Sequence, residues 1–309
     1  MSPNLSDIAR QLLDPQLPMP AYAKALAHYE ALLQAQHLVD SSRTHTEHGM
    51  GLNSAEAATC LQDERRTRAF LLATDAAIRH QRTQTRAPVH LLYAGTGPWA
   101  TLALPLLATY PAAQLKVTGL EVNAASAGHL QGLLRLLGLA DHMEVVHTDA
   151  TAYQVTNPVH VLLSETMQAG LRDEPQVAIF QHLIPQLAPG ASLIPQEICL
   201  SLALLPEQLR PEAKWLPLDT VFRLAKAGDL PGTEHRCRLP QNREGFAWLG
   251  LLTHIQLDDT YTLEAFESGL THPLILAPLA TLPAQSPTVR THYSIEQNPG
   301  LVYHISHED

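Results

Sequence analysis

The sequence predicts an α/β fold, with a doubly wound, Rossmann-like parallel sheet followed by an antiparallel, β-barrel-like domain. Up to about residue 195, short apolar runs alternate with segments of helical periodicity, which is the βαβ rhythm of a parallel sheet. Beyond it, apolar runs recur without comparable helices and prolines lie between them, which is typical of antiparallel strands. With 309 residues, 45% of them apolar, the chain is long enough for both parts.

The elements of the first part follow from local patterns. Residues 4–40 are predicted to be helical with a turn at 15–20, and residues 41–53 to form a loop. A second helix is predicted from Ser54, a candidate N-cap, to His80. Strands and helices then alternate, with predicted strands at 89–93, 116–120, 143–147 and 159–163 and predicted helices at 99–109, 124–137 and 176–186.

The second part is predicted from four apolar runs, at 198–204, 246–255, 274–276 and 301–305. The segment 206–243 is polar and proline-rich, and we interpret it as an inserted arm or loop. The sequence therefore predicts an N-terminal helical segment at 1–53, a ligand-binding Rossmann-like domain at 54–195 and a β domain at 196–309.

Composition excludes several classes of function. A net charge of −10 with only 20 lysines and arginines argues against a nucleic-acid partner. The three cysteines, Cys60, Cys199 and Cys237, have no paired spacing, and the 17 histidines are scattered, so we predict neither disulfides nor a metal site. The N-terminus lacks the pattern of a signal peptide and no run of 18 apolar residues occurs, which predicts a cytoplasmic chain without a membrane partner.

A glycine loop joins the first predicted strand to its helix. Gly95 and Gly97 allow close approach of a ligand to the backbone, and the following helix offers free N–H groups. Glu121 ends the next strand, where a carboxylate is suited to bind the ribose hydroxyls of a nucleoside. The loop also fits Gly-x-Gly-x-x-Ala, so an NAD-dependent dehydrogenase stays an alternative, as does a tight turn with a solvated Glu121.

The third predicted strand ends at Thr148-Asp149-Ala150. An acid at this strand end commonly lies by the adenine in S-adenosylmethionine (SAM) enzymes, through its carboxylate or a neighbouring backbone group. Asp149 and Ala150 therefore favour SAM as the cofactor. The alternative is an aspartate that only caps a turn.

Two glutamates follow the fourth predicted strand. Glu165 and Glu174 stand nine residues apart on one loop, and two such carboxylates are suited to grip a planar cation such as a guanidinium. Either glutamate could instead be a solvated loop acid, which is the usual fate of an exposed glutamate.

Together these stretches resemble the protein arginine methyltransferases, which are class I SAM-dependent enzymes with a sheet of the seven-stranded type. The resemblance covers roughly residues 54–305, and the Ala-Gly-Thr-Gly-Pro loop favours the symmetric-dimethylating branch. Ser164-Glu165-x-Met167 followed by Glu174 is similar to the family's double-glutamate loop, and Ile194-Pro195-Gln196-Glu197 is similar to the start of its β-barrel. Residues 61–70 resemble the family's Leu-x-Asp-x-x-Arg-Thr-x-x-Tyr helix, which implies that Arg66 contacts the SAM carboxylate.

The chain also departs from the family pattern. Leu91 and Tyr93 stand where the family has a strand acid and a further glycine. The family's Thr-His-Trp loop, which helps to wall the arginine pocket, corresponds to Thr271-His272-Pro273. The resemblance makes His272 a candidate to orient an acid or take up the released proton, and the alternative is a surface or core histidine.

The resemblance implies a SAM-dependent N-methyltransferase that acts on the guanidino group of free arginine, an arginine-like small molecule or a peptide. Methylation of another nucleophile on a small molecule or modified peptide is the first alternative. A dehydrogenase and a non-catalytic paralogue are the others. A homodimer is a further expectation, and the sequence does not decide between small and peptide acceptors.

Overall fold

The computed structural model describes residues 4–35, 42–282 and 285–306. The described helices are α1 (Leu5–Leu12), α2 (Met19–Gln34), α3 (Ser54–Thr59), α4 (Glu64–Gln84), α5 (Leu104–Thr109), α6 (Ala124–Leu136) and α7 (Gln176–Leu183). The described strands are β1 (Thr44–Thr46), β2 (Gly49–Gly51), β3 (Val89–Ala94), β4 (Leu115–Glu121), β5 (Met143–His147), β6 (Val161–Ser164), β7 (Ser192–Ile194), β8 (Glu197–Leu205), β9 (Leu216–Ala225), β10 (His235–Arg238), β11 (Trp248–Gln256), β12 (Thr262–Leu263), β13 (Leu274–Pro278), β14 (Thr288–Ser294) and β15 (Gly300–Ser306).

A five-stranded parallel sheet in the order β5-β4-β3-β6-β7 forms the first part. Its central strand β3 is almost wholly buried, and Leu91 pairs with Val117 of β4 on one side and Val161 of β6 on the other. Strands buried on both faces read as continuous apolar runs, which is why the sequence predicts them well. Among the described residues the sheet has five strands rather than seven, because the chain passes from β7 directly into antiparallel β8.

The helix predicted from Ser54 to His80 is two helices. Asn53, not Ser54, is the N-cap of α3, where its side chain accepts from the N–H of Glu56, while the Glu56 side chain accepts from the N–H of Asn53. This shift by one residue completes a capping box. A short 3-10 turn follows, and Asp63 then caps α4 through the N–H of Arg66.

The helix predicted at 99–109 begins only at Leu104. Residues 97–103 form turns, and Ala100 has a φ of 42°, which a continuous helix does not contain. Pro105 then occupies the first turn of α5, where its missing N–H is tolerated. Trp99 and Ala100 are nevertheless buried, so these apolar residues serve the core rather than a helix face.

The antiparallel part, as far as the structure describes it, contains two sheets. One has the order β12-β11-β8-β9 with β13 also on β11, and the other has the order β10-β14-β15. The rings of Phe222 on β9 and Tyr293 on β14 are stacked with their centres 4.5 Å apart, and this contact joins the two sheets.

The arm or loop predicted at 206–243 is not an extended arm, because it supplies β9 and β10 to these two sheets. Polar residues on the outer face of β9 hide the strand from sequence analysis. Its inner face carries the buried Phe222 and Leu224.

The N-terminal segment packs on the parallel part. The hydroxyl of Tyr29 on α2 donates to the carbonyl of Thr101 at 3.0 Å, just beyond the glycine loop. The loop predicted at 41–53 contains the short β1–β2 hairpin instead, with the Thr46 hydroxyl donating to the carbonyl of Gly49 at 2.9 Å. Residues 36–41 of the predicted helix and loop lie outside the described ranges.

Candidate functional site

A cavity of about 570 Å³ lies at the carboxyl edge of the parallel sheet, and the turn at 269–274 of the antiparallel part also lines it. This edge, where β3 lies between β4 and β6, is the place where ligands bind in sheets of this topology. The topology brings all nine candidate residues to this one cavity, while the role of each stays a prediction. They are Arg66, Gly95, Gly97, Glu121, Asp149, Ala150, Glu165, Glu174 and His272.

The glycine loop leaves β3 in a conformation that requires glycine. Gly95 and Gly97 have φ angles of 78° and 62°, in the left-handed region. A Cβ on Gly95 would lie 2.2 Å from Cγ2 of Thr166, so this position has no room for a side chain. The loop backbone therefore lies directly against the residue that follows Glu165.

Glu121 is the last residue of β4 and is buried. Its Oε2 accepts from the N–H of Gly97 at 2.7 Å, and its Oε1 accepts from the N–H of Asn123 at 2.8 Å. Burial raises the pKa of Glu121, and these hydrogen bonds oppose the rise because they stabilise the ionised form. Glu121 thus joins the glycine loop to the strand end while it lines the cavity.

Asp149 caps a turn at the end of β5. Its Oδ1 accepts from the N–H of Thr151 at 2.8 Å and from the Thr151 hydroxyl at 2.7 Å. Asp149 and the buried Ala150 still line the cavity, so the capping role and a contact with a nucleoside are compatible.

Arg66 and Glu165 form an ion pair with each other, although the sequence assigns them to different ligands. Their side chains are 5% and 6% exposed, and Nη1 of Arg66 also donates to the carbonyl of Cys60 at 2.8 Å. Nε of Arg66 is buried and has no hydrogen-bond partner among the described residues. A buried charge is costly without a partner of opposite charge. A ligand that binds Arg66 or Glu165 in place of this ion pair therefore has to provide the other residue with a new partner as well.

Glu174 is 7% exposed at the far end of the same loop. Burial raises the pKa of Glu174 to about 7, against the opposing effects of a hydrogen bond from Gln168 and the charge of Arg66. A carboxyl that titrates near neutral pH in a cavity is typical of functional sites.

The double-glutamate loop, residues 165–174, is fixed at Gly170 and Asp173 by three other parts of the chain. The carbonyl of Asp173 accepts from the N–H of Met50 at 2.9 Å, and the N–H of Asp173 donates to the carbonyl of Pro299 at 3.0 Å. The N–H of Gly170 donates to the hydroxyl of Thr253 on β11 at 2.8 Å. These contacts hold the loop in place against the β1–β2 hairpin and both antiparallel sheets.

Gln176 supports the loop at its other end, and the sequence analysis missed it. Its Oε1 accepts from the N–H of Thr166 at 2.9 Å, the Thr166 hydroxyl at 3.0 Å and the Ser164 hydroxyl at 3.2 Å. Gln176 is fully buried. The two residues on either side of Glu165 are therefore held by one amide oxygen.

Replacing Gln176 with Leu is expected to lower the kcat of the enzyme proposed below by about tenfold or more, because Glu165 loses its fixed position. The buried donors left behind also lower the free energy of unfolding by about 1–3 kcal/mol. Steady-state kinetics and denaturant unfolding check both effects. Gln176→Glu retains an accepting oxygen and should restore part of kcat, whereas Gln131→Leu on the exposed face of α6 should change neither quantity. An unchanged kcat in Gln176→Leu would contradict the role.

His272 is exposed at the mouth of the cavity. Its ring lies edge-on to that of Phe266, with ring centres 5.2 Å apart. The preceding turn is bonded to the N-cap of α4, since Oδ2 of Asp63 accepts from the Ser268 hydroxyl at 2.7 Å and the Gly269 N–H at 2.9 Å. This contact joins the turn before His272 to the start of the helix that carries Arg66. Asp63 is the aspartate of the Leu-x-Asp-x-x-Arg pattern in the sequence, so the pattern already pointed to this residue.

A second charged pair on the cavity wall, Arg43 and Glu56, was also missed. Arg43 donates through Nε at 2.9 Å and through Nη2 at 2.6 Å to Oε1 of Glu56. Sequence spacing carries no signal for this pair because the residues lie on different elements. Tyr93 also lines the cavity, where burial raises its pKa.

Two further properties concern the described residues alone. No group of three His, Cys, Asp or Glu side chains there is arranged to hold a metal ion. None of the helices in those ranges is long and apolar enough to span a membrane.

The comparison with known proteins establishes the fold. No family model and no curated protein matches the sequence. The Arabidopsis thaliana protein arginine methyltransferase 10, in an open conformation, matches with a TM-score of 0.55 and 13% identity over 76% of this chain and 85% of that chain. The Trypanosoma brucei PRMT1 enzyme–prozyme heterotetrameric complex with AdoHcy matches with a TM-score of 0.58 and 14% identity over 81% of this chain and 92% of that chain.

The chain therefore has a Rossmann-like domain joined to a β-barrel-like domain, in the fold of the protein arginine methyltransferases. This confirms the fold class predicted from the sequence. At such low identity the likeness concerns the fold alone, and the preference for the symmetric-dimethylating branch stays a prediction.

Proposed function

We propose that this protein is a SAM-dependent N-methyltransferase that acts on a guanidino group. The observation that carries the proposal is the convergence of Glu165 and Glu174 with the glycine loop and Glu121 on one cavity. The fold is shared with arginine methyltransferases, and the Trypanosoma brucei complex contains AdoHcy, the product that SAM leaves after methyl transfer. Both findings support the proposal.

The residues of the cavity fit SAM. The glycine loop offers backbone close to a ligand, and Glu121 stands where a carboxylate binds ribose hydroxyls. Asp149 and Ala150 lie at the neighbouring strand end, where the adenine is expected. The buried Nε of Arg66 has no partner among the described residues and is suited to an anionic group such as the SAM carboxylate. When bound, SAM supplies an electrophilic methyl group on a positively charged sulfur.

The two glutamates would prepare the acceptor. A guanidinium is protonated near neutral pH and is a poor nucleophile. Glu165 and Glu174 would orient it and draw its positive charge towards the nitrogens that do not react. The ion pair of Glu165 with Arg66 is formed through Oε2, and a cation beside Glu174 would lower the pKa of that carboxyl and favour its ionised form. His272, at the cavity mouth, would take up the released proton or orient an acid.

The Arg66–Glu165 pair also favours a second candidate. Because Glu165 already contacts a guanidinium of the chain itself, it has less capacity for the guanidinium of an acceptor. The same site could then methylate another nucleophile on a small molecule or modified peptide. The replacement of the family's tryptophan by Pro273 supports the same alternative.

We expect SAM and AdoHcy, but not NAD, to raise Tm by about 5 °C at a concentration of about 100 times Kd. Mass spectrometry of the protein with SAM and a panel of guanidino compounds should then show an added methyl group on the acceptor. Glu121→Ala should weaken the SAM-dependent shift, and Glu144→Gln, on the exposed face of β5, should preserve it.

The outcomes separate the candidates. A thermal shift with NAD alone would favour the dehydrogenase. A shift with SAM and transfer only to other nucleophiles would favour the second candidate. A shift with SAM and no transfer to any acceptor would favour a non-catalytic protein.

A further inference from the structure

We propose that the acceptor carries a carboxylate which Arg172 binds, so that the substrate is a guanidino acid such as a free amino acid, not an arginine inside a protein chain. This inference rests on the function proposed above and narrows its acceptor. It derives from the charges of the cavity and from the way in which the double-glutamate loop holds Arg172.

Three arginines of the described ranges line the cavity, and two of them already have acidic partners. Arg43 is bound by Glu56, and Arg66 is bound by Glu165. Arg172 has no acidic partner among the described residues. Its Nε donates to the carbonyl of Ala169 at 3.1 Å, which leaves the Nη groups to meet a ligand.

The stem of Arg172 is held in a defined place. It lies between Gly170 and Gly300, where added Cβ atoms would stand 3.7 Å and 3.6 Å from Cγ of Arg172. The residues around it adopt left-handed conformations, with φ angles of 74° at Gly170, 53° at Leu171 and 66° at Asp173. Left-handed backbone at residues other than glycine is costly and occurs most often where a functional group is positioned. Arginine side chains commonly pack their stems on the protein and keep the charged head accessible, and Arg172 is exposed in this way.

The cavity therefore offers both signs of charge to one acceptor. Glu165 and Glu174 suit a guanidinium, and the guanidinium of Arg172 suits a carboxylate through paired hydrogen bonds. An arginine inside a protein chain has no carboxylate near its side chain, whereas a free guanidino acid has both groups on one small molecule. The only competing anion in the proposed reaction is the carboxylate of SAM, which the experiment below distinguishes.

The test compares kcat/KM for L-arginine and for agmatine, its decarboxylated counterpart. The wild-type protein should prefer L-arginine by about ten- to a hundredfold, the range expected of one charge-assisted hydrogen-bonded contact. In Arg172→Gln this ratio should fall to about one. The matched control is Arg135→Gln, at an exposed position in the last turn of α6, which should retain the wild-type ratio.

Three results would overturn the inference. Equal use of both compounds by the wild-type protein would reject a carboxylate site while it upheld guanidino methylation. A raised Kd for SAM in Arg172→Gln with an unchanged ratio would assign Arg172 to the methyl donor. Binding of SAM without transfer to any guanidino compound would reject the proposed function and this inference together.

Discussion

Glu165→Gln is expected to reduce methyl transfer by about a hundredfold while the affinity for SAM is retained. The variant removes the charge that would hold the acceptor guanidinium, and a hydrogen bond to a charged group accounts for about 1.5–3 kcal/mol. Arg66, which pairs with Glu165 in the structure, would be released towards the donor carboxylate. Calorimetry with SAM and a methyl-transfer assay measure the two effects separately.

The same variant should also lower Tm. Arg66 is buried, and loss of its charged partner leaves a cation that only a glutamine oxygen can compensate. Glu144→Gln removes an exposed glutamate and serves as the control for charge alone. If turnover in Glu165→Gln equalled that of the wild-type protein, the paired-carboxylate mechanism would be wrong.

The second large effect is on pH dependence. We expect kcat/KM for a guanidino acceptor to rise with pH through about 7, because the ionised form of Glu174 binds the cation and its pKa lies at about 7. Glu174→Gln should lower kcat/KM by about a hundredfold and abolish this rise. A pH series of initial rates checks both. A wild-type profile that is flat between pH 6 and 8 would contradict the assignment.

The stability of the folded protein should also depend on the ionisation of Glu174, but it should fall with rising pH where kcat/KM rises. The pKa of Glu174 is about 7 in the folded protein and about 4.3 in an unfolded chain, so the folded state binds the proton more tightly. The contribution of protonated Glu174 to the free energy of unfolding is fully present below pH 4.3 and is lost as pH rises through about 7. Glu174→Gln should therefore have a higher Tm than the wild-type protein at pH 8, and the gap should shrink towards pH 5. Glu144→Gln is the control, with a Tm difference from the wild-type protein that does not change with pH.

The sequence predicts the parallel sheet well because its strands are buried on both faces and read as apolar runs. Predictions fail where one residue changes the backbone locally. Asp63 interrupts a continuous helical pattern by capping a new helix, and Ala100 takes a left-handed conformation inside an apolar segment. The strand β9 was missed because Asp219, Thr220 and Arg223 interrupt its apolar residues, and only its pairing with β8 identifies it.

The nine candidate residues line one cavity, while their roles stay predictions. Most of them lie at strand ends and loops that the parallel topology brings to one edge, and the family resemblance, rather than periodicity, pointed to Arg66 on α4 and to His272 in the antiparallel part. The Arg66–Glu165 pair depends on how α4 packs against the end of β6, which no local pattern encodes. Gln176 was missed for the same reason, because its hydrogen bonds to Ser164 and Thr166 depend on tertiary packing.

The hydrogen bonds of Asp173 have a consequence for how the protein reaches its working state. They join the β1–β2 hairpin, the loop between two parallel strands and the final β14–β15 hairpin, which are far apart along the chain. Contacts between such distant segments form late, because closing long loops is entropically costly. The Rossmann-like half could acquire its secondary structure on its own, but its two glutamates would lack their final placement. The two glutamates therefore take their final positions only when the segments around Met50 and Pro299 have docked, and activity reports on the packing of both segments against the loop.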